Sequence, residues 1–396
     1  MNNIFRIPPQ ILYILQTLEQ AGHSAYLVGG CVRDHLLGKA PNDFDICTSA
    51  RPEETMALFD RCIPTGIAHG TVTVLYDGME SEVTVFRKEA DYSDHRHPDG
   101  VEFTDDLKED LSRRDFTINA MAMDCRGMLQ DPWGGQADLQ AGIIRCVGDP
   151  RQRLQEDALR MHRGLRFSAQ LGFVIEPETL RAIAANAPYS RYVAAERIQA
   201  ELTKTLLSAR PEKAGSMIAL GLLEHIIPEP VTGDLRTLHY VAPVKHLRYA
   251  RFLYLLEGCD VEQVLRNLKL EKVIIRSVTR AIAAAKAGLP STVTEMKQLM
   301  SREDELTVEC VCACGAYDRL IALRDGVLAS GEPYLLRHLA VTGSDLIKLG
   351  IKGSMTGEVL RKLLDAVIET PALNEKETLL KMAKEYPPCP FGTSPL

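Results

Sequence analysis

The reading of this chain turns on residues 26–48, Tyr26-Leu-Val-Gly29-Gly30-Cys-Val-Arg33-Asp34-His-Leu-Leu-Gly38-Lys-Ala-Pro-Asn-Asp43-Phe44-Asp45-Ile-Cys-Thr48. An apolar, strand-like run from Tyr26 to Val28 meets two glycines. A short helical pattern then carries Arg33, and Asp43-Phe44-Asp45 opens a second run. Side chains alternate faces along a strand, so Asp43 and Asp45 share one face while Phe44 takes the other, toward a core. Two neighbouring carboxylates repel unless a cation lies between them, and Mg²⁺, a hard ion that takes oxygen ligands, suits the pair. Paired glycines let backbone amides approach an anion closely, and a helix N-terminus followed by Arg33 adds positive potential. The stretch predicts a phosphate and a metal at one place.

Alone, Gly-Gly is usually a turn and Asp-x-Asp a solvated strand end or cap. Joined at this spacing, they resemble the signature of the nucleotidyltransferase superfamily that includes DNA polymerase beta. Gly29-Gly30-Cys31-Val32-Arg33-Asp34 with Leu37-Gly38 resembles the bacterial branch that holds tRNA CCA-adding enzymes and poly(A) polymerases.

The chain has 396 residues, 45% of them hydrophobic, enough for sizeable cores in several domains or subdomains. It contains no run of about 18 apolar residues, and Met1-Asn2-Asn3-Ile4-Phe5-Arg6 lacks the apolar segment of a signal peptide. The expectation is a cytoplasmic protein. Ten cysteines are scattered; Cys310-Val-Cys312-Ala-Cys314 has gaps too short for a zinc knuckle and reads as small buried residues. A net charge of −7 argues against holding nucleic acid by bulk charge. The distribution is uneven. Residues 1–150 carry 13 basic and 24 acidic side chains, whereas residues 151–396 carry 33 and 29. All eight basic residues between 151 and 200 are arginine, the side chain suited to planar recognition of bases and phosphates. RNA binding would fall to an arginine-rich surface in the second half.

Outward from the opening stretch, residues 8–22 place Ile11, Ile14, Leu15 and Leu18 at helical spacing and predict an amphipathic helix ending near Gly22. Residues 49–54 read as a helix start. Thr71–Tyr76 and Glu82–Arg87 read as strands about the turn Asp77-Gly78. Glu82 and Thr84 share a face of the second strand, which leaves Glu82 either a third carboxylate beside the aspartate pair or an ordinary exposed residue. Residues 88–100 are polar and aperiodic and predict a loop, where nothing fixes a metal geometry for His95 and His97. Arg113-Arg114-Asp115 leads into an apolar run to Met123, predicted as a strand carrying the triplet to the edge of the same sheet. Asp131-Pro-Trp133-Gly-Gly135 with Asp138-Leu139 reads as a turn or a packed pivot. On a helical wheel from Arg153, Leu154, Ala158, Met161 and Leu165 form one face, with Glu156, Asp157, Arg160 and Arg163 on a charged stripe opposite. Asp157 and Arg160 lie about 60° apart, with Arg163 and Arg166 farther round. By itself such a stripe is a salt-bridged solvent face.

The resemblance extends along these motifs in their usual order. It implies that the loop at 88–100 serves the change from adding C to adding A, that Arg114 faces the triphosphate, and that Asp115 faces the ribose hydroxyl. The residues around Trp133, where relatives usually carry Phe, would join head to neck. Glu156-Asp157-x-x-Arg160 with Arg163 and Arg166 resembles the family's nucleotide-template motif, with Gly164 in place of the usual alanine and His162 in place of an apolar residue. Ala195-Glu196-Arg197-Ile198 with Glu201-Leu202 resembles a supporting neck helix. Beyond residue 205, helical patterns recur at 247–256, 273–285, 334–349 and 359–367. No His-Asp dipeptide occurs, which leaves an appended phosphohydrolase domain unsupported. Residues 338–352 resemble the tail of shorter Bacillus-type enzymes, without the Gly-Pro usual there.

What this implies is a class II, bacterial-type tRNA nucleotidyltransferase: an α/β, polymerase-beta-like head at 1–147, then an all-helical neck at 148–205, body at 206–290 and tRNA-binding tail at 291–396. Its partners would be the 3′ end and acceptor arm of tRNA, with CTP and ATP, and no membrane; monomer and homodimer both stay open. Asp43 and Asp45 would hold Mg²⁺ and Gly30, Arg33 and Arg114 the triphosphate. Asp115, Glu156, Asp157, Arg160, Arg163 and Arg166 complete the nucleotide-binding set. Cytosine and adenine both present an exocyclic amino donor beside a ring-nitrogen acceptor, which one carboxylate and one guanidinium, Asp157 and Arg160, satisfy; guanine and uracil do not. The rivals are a poly(A) polymerase, an enzyme adding only CC or only A, and a non-catalytic RNA-binding protein on the same scaffold. The surviving carboxylates count against the last.

Overall fold

The apolar stripe near the N-terminus folds as its spacing requires. Helix α1 (Pro9–Gln20) starts on a proline, buries Ile11, Ile14, Leu15 and Leu18, and is followed by Gly22 at φ +92°. The structure, a computed structural model, describes residues 7–89, 101–228 and 230–386. These form two compact units, one taking the chain to Val231 together with Asn267–Lys269, the other Thr232–Arg266 and Leu270 onward.

In the first unit β1 (Ala25–Val28) passes through Gly29 into α2 (Gly30–Leu36), and β2 (Asp45–Thr48) returns antiparallel to β1 with Asp45 opposite Val28. After α3 (Pro52–Leu58) come β3 (Cys62–Gly66), β4 (Thr71–Tyr76) and β5 (Met79–Val85). Asp77 and Gly78, both at positive φ, make the tight turn between β4 and β5. Strand β5 then runs parallel to β2, with Val83 beside Ile46. The short β6 (Arg87–Glu89) pairs with β7 (Val101–Phe103), so the loop predicted from residue 88 begins as a ladder. The rest of that loop, His95 and His97 included, lies outside the described residues. Helix α4 (Leu107–Ser112), β8 (Ala122–Met123) and β9 (Leu129–Gln130) follow, and the seven-stranded sheet runs β3-β4-β5-β2-β1-β8-β9.

One expected strand is mostly absent. After Arg113-Arg114-Asp115 the chain makes a 3-10 turn at Thr117–Asn119, and only Ala122–Met123 joins the sheet. Polar side chains divert it: Asp115 accepts the Phe116 N–H at 2.8 Å, and the Thr117 hydroxyl donates to Asp138 at 2.7 Å. The arginine pair therefore sits at the end of α4. Asp138 lies in α5 (Gly135–Ala141), whose first amides are capped by Asp131; a Cβ on Gly135 would stand 2.2 Å from the Thr117 carbonyl oxygen, so no larger residue fits there.

Past β10 (Ile143–Ile144), the expected arginine helix is two helices, α6 (Pro150–Glu156) and α7 (Leu159–Leu171). Asp157 leaves the helical conformation at φ −135°, ψ 105°, and its carboxylate accepts the Leu159 N–H at 3.0 Å, capping α7. The helical wheel does not hold across that break. The apolar face survives it, with Leu154, Ala158, Met161 and Leu165 all buried. The unit continues with β11 (Val174–Ile175), α8 (Pro177–Asn186), α9 (Ala195–Leu206) and α10 (Ala214–Ala219).

The second unit, in its described residues, has helices only: α11 (Lys245–Tyr254), α12 (Val261–Asn267), α13 (Lys272–Ala287), α14 (Val293–Arg302), α15 (Glu305–Cys314), α16 (Tyr317–Ser330), α17 (Gly343–Lys348), α18 (Ser354–Glu369) and α19 (Lys376–Lys384). Cys310, Cys312 and Cys314 are buried in α15, as their apolar setting predicted. The helix expected over 334–349 is instead a 3-10 turn at Leu336–His338 and α17, because Thr342 and Asp345 form a capping box that starts a new helix. An α/β head followed by helices is thus the architecture the sequence predicted. No helix among the described residues is long and apolar enough to cross a membrane.

Candidate active site

The alternation of residues 43–45 survives folding: Phe44 is buried and the two flanking aspartates are exposed at the start of β2. Gly29 sits across from them at φ +73°. A side chain there would reach within 3.3 Å of an Arg114 nitrogen and 3.9 Å of Asp45, so glycine lets this guanidinium and carboxylate crowd the end of β1. Partial burial raises the Asp45 carboxyl pKa; Arg114 opposes the rise, and the like charges of Glu82 and Asp43 add to it. Neither Asp43 nor Asp45 has an ion-pair partner among the described residues. No group of three metal-ligating side chains exists there either. Two oxygen-donor residues with neighbouring negative charge fit an ion that takes one or two carboxylates and completes its shell with phosphate oxygens and water, as Mg²⁺ does.

The aspartates open into a cleft of about 460 Å³. Of the residues singled out in the sequence, Gly30, Arg33, Asp43, Asp45, Arg114, Asp115, Asp157, Arg160, Arg163 and Arg166 line it. Glu156 is the exception. It stands outside the lining and accepts from both Arg153 and Arg160, at 2.6 Å each. The stripe is no solvated face: Arg160 and Arg166 are only 8% and 7% exposed. Arg160 also donates to the carbonyl oxygens of Arg153 and Arg113, at 2.8 and 2.9 Å, which ties α7 to α6 and to the end of α4.

Asp157 does not pair with Arg160. Its carboxylate takes Arg197 of α9 at 2.9 Å. Arg163 pairs with Asp115 at 2.7 Å, and Arg166 with Glu201 of α9. Burial alone would raise the Asp115 pKa, but the Arg163 charge and hydrogen bonds from Arg163 and Asn119 hold it at about 2. On the head side Asp110, fully buried at the end of α4, accepts from Arg113 at 2.9 Å and from Arg114 at 3.4 Å.

Among the residues lining the cleft, Asn119 and Phe167 carried no assignment in the sequence. Asn119 accepts from Arg33 at 2.8 Å and donates to Asp115 at 3.2 Å, bridging two motifs. The Phe167 ring lies beneath three guanidinium groups, those of Arg166, Arg33 and Arg163, with centroid distances of 3.9, 5.1 and 5.4 Å. Arg197 had been placed only as part of a supporting helix. The signals were an asparagine inside the Arg-Arg-Asp motif and an aromatic beside Arg166, both ordinary core features when read alone.

The chain matches two family descriptions, the poly(A) polymerase head domain over residues 25–145 and a probable RNA- and SrmB-binding site of polymerase A over residues 172–231. A CCA-adding enzyme of Leuconostoc mesenteroides is 37% identical over 386 residues, covering 94% of this chain and 95% of its own. The chain belongs to the CCA-adding enzyme family. A second relative of that name, from Anoxybacillus flavithermus, is 38% identical and covers 97% of this chain and 98% of its own. The crystal structure of the Bacillus stearothermophilus CCA-adding enzyme in complex with CTP matches with a TM-score of 0.77 at 33% identity, over 96% of this chain and 98% of that one. Members of this family are nucleotidyltransferases, enzymes that generally depend on a metal. In this member, α6 and α7, with Arg160, Arg163 and Arg166 of the cleft, fall between the two matched segments.

Proposed function

We propose that this chain adds C, C and A to the 3′ end of tRNA from CTP and ATP, without a nucleic-acid template, in the cytoplasm. The observation that carries the reading is the meeting, in one cleft, of an aspartate pair on a strand end with arginines of α2, α7 and α9 and of the end of α4, and with Asp157 from the break between α6 and α7. Asp43 and Asp45 would hold Mg²⁺, which lowers the pKa of the attacking 3′-hydroxyl and neutralises the leaving pyrophosphate when bound. Gly30, Arg33 and Arg114 take the triphosphate and hold its α-phosphorus in line with the hydroxyl. The new P–O bond forms at that phosphorus as the bond to the pyrophosphate oxygen breaks, and the hydroxyl proton leaves to water.

Asp157 and Arg160 read the base edge. Each is fixed by a neighbour before any nucleotide arrives, Asp157 by Arg197 and Arg160 by Glu156, so little conformational freedom is lost on binding. Arg163 and Arg166, held by Asp115 and Glu201, face the sugar and phosphates. The test is incubation of the pure protein with tRNA lacking its 3′ end, CTP, ATP and Mg²⁺, followed by product sequencing. The expected product ends in a single CCA. A long A tail would mean a poly(A) polymerase, the activity named in the head-domain match, and addition of only CC or only A would mean a partial enzyme.

A further inference from the structure

A second cavity, of about 510 Å³, adjoins the cleft at the aspartate pair. It shares Gly30, Arg33, Asp43, Asp45 and Arg166 with the first and otherwise has its own walls. Lys39, in the connection from α2 to β2, contributes one wall, and Lys204 of α9 another. Both side chains are exposed, and neither is ion-paired among the described residues. Asp34 also lines the space, but Arg33 occupies its carboxylate at 2.8 Å. Apart from the aspartate pair itself, the uncommitted charges of this cavity are therefore the two lysines.

Helix α9 relates the two spaces. Arg197, Glu201 and Lys204 follow at i, i+4 and i+7 and share one face. The first pairs with Asp157 in the cleft, the second holds Arg166 where the two spaces meet, and the third lines the second cavity. Seven residues of helix separate Arg197 from Lys204, about 10 Å.

Transfer of a nucleotidyl group needs a second substrate, whose hydroxyl must reach the same carboxylate pair from a side the triphosphate does not fill. We propose that the second cavity seats the last nucleotides of the acceptor RNA strand, with Lys39 and Lys204 on the phosphates behind its terminal hydroxyl. The inference rests on the nucleotidyltransferase reading above. The residue types follow from what each space must do. Arginine holds a phosphate or base in one fixed geometry, which suits an incoming nucleotide that binds the same way each time. Lysine is a mobile, hydrated point charge, which suits a strand that must reseat by one nucleotide after every addition.

The test measures incorporation of labelled CTP into an acceptor-stem minihelix lacking CCA, by the wild type and by Lys39→Ala, Lys204→Ala and Lys204→Arg. Each alanine variant should raise KM for the minihelix roughly tenfold and reduce the slope of log KM against log salt by about 0.7. Lys204→Arg should lie near the wild type in both. KM for CTP, and CTP affinity by equilibrium dialysis without RNA, should stay within about twofold, since neither lysine lines the nucleotide cleft. Weakened CTP binding with an unchanged minihelix KM would assign the cavity to the nucleotide or pyrophosphate and overturn the proposal. Unchanged salt slopes in an active enzyme would overturn it while leaving the transferase reading intact. A wild type that incorporates nothing would overturn both.

Discussion

On the strand side of the cleft Asp43 and Asp45 meet the opening with no ion-pair partner among the described residues, while on the helical side the guanidinium groups are already held. Glu156 takes Arg153 and Arg160, Asp115 takes Arg163, and Glu201 takes Arg166. In the carboxylate wall the Asp45 pKa is raised, chiefly by burial, with Arg114 opposing the rise and the like charges of Glu82 and Asp43 adding to it. The arginine wall is completed by folding. Holding a charged side chain in place before the substrate arrives moves the cost of ordering it to the folding step, where packing offsets it. On the proposed reading, the first wall would take a cation and the second, already ordered, would select the nucleotide.

The hardest way to break this contrast is to remove a charge from the open wall. Asp45→Asn should cut incorporation at least about a hundredfold, because a bound metal contributes several kcal/mol to the transition state. Affinity for CTP and tRNA should stay within a few-fold. A variant that turns over near the wild-type rate would show that the aspartates are not where the chemistry occurs.

Removing a held group from the preformed wall should act differently. Arg160→Ala is expected to lower discrimination against UTP and GTP by roughly tenfold or more, since a polar site rejects the wrong base through groups left unpaired. The measurement is the set of kcat/KM values for the four nucleotides. Equal loss for all four, with ratios unchanged, would make Arg160 a scaffold residue and leave base choice to something else.

The wall's support can also be tested through pH. His162 on α7 is fully buried; the Ser190 hydroxyl donates to the Leu222 carbonyl, so His162 Nε2–H donates to Ser190 at 2.7 Å, and no partner among the described residues meets its other ring nitrogen. Burial, with a smaller contribution from His225, lowers its pKa to about 3. Below the ordinary histidine pKa of about 6.5 the unfolded chain binds a proton that the folded one does not, so stability falls with pH between 6.5 and 3. At pH 5 this amounts to about 2 kcal/mol relative to pH 7. His162→Leu should flatten that part of the profile in thermal melts at pH 7 and pH 5. A wild-type curve no steeper than the variant's would place His162 outside this account.

The smallest expected effect is at Gly164, where a Cβ would lie 3.1 Å from the Phe116 ring. Alanine gains about 1 kcal/mol of helix propensity, but the ring must shift to admit it. Gly164→Ala should therefore change stability by less than about 1 kcal/mol, measured by denaturant unfolding. A clear stabilisation would mean that Phe116, and with it the seam between head and α7, yields easily.

Local periodicity was legible in the sequence. The strand period placed Asp43 and Asp45 together and Phe44 in the core, and the helical period identified the buried faces of α1 and of the arginine helices, even across their break. Those patterns depend on neighbours within a turn or a pleat. The sequence also brought forward ten of the residues that line the cleft, by motif and order. Pairing was not legible. Asp157 and Arg160 were expected to act as neighbours on one wheel. Instead the chain leaves the helix at Asp157, Arg160 goes to Glu156, and Asp157 goes to Arg197, 40 residues onward. Asn119 and Phe167 likewise acquire their roles only when the end of α4, α2 and α7 converge. Composition and spacing determine that a stripe of arginines will need carboxylates. Which carboxylate each one takes is decided by tertiary packing, because an ion pair forms only where distant segments bring donor and acceptor within a few ångströms and shield them together from water.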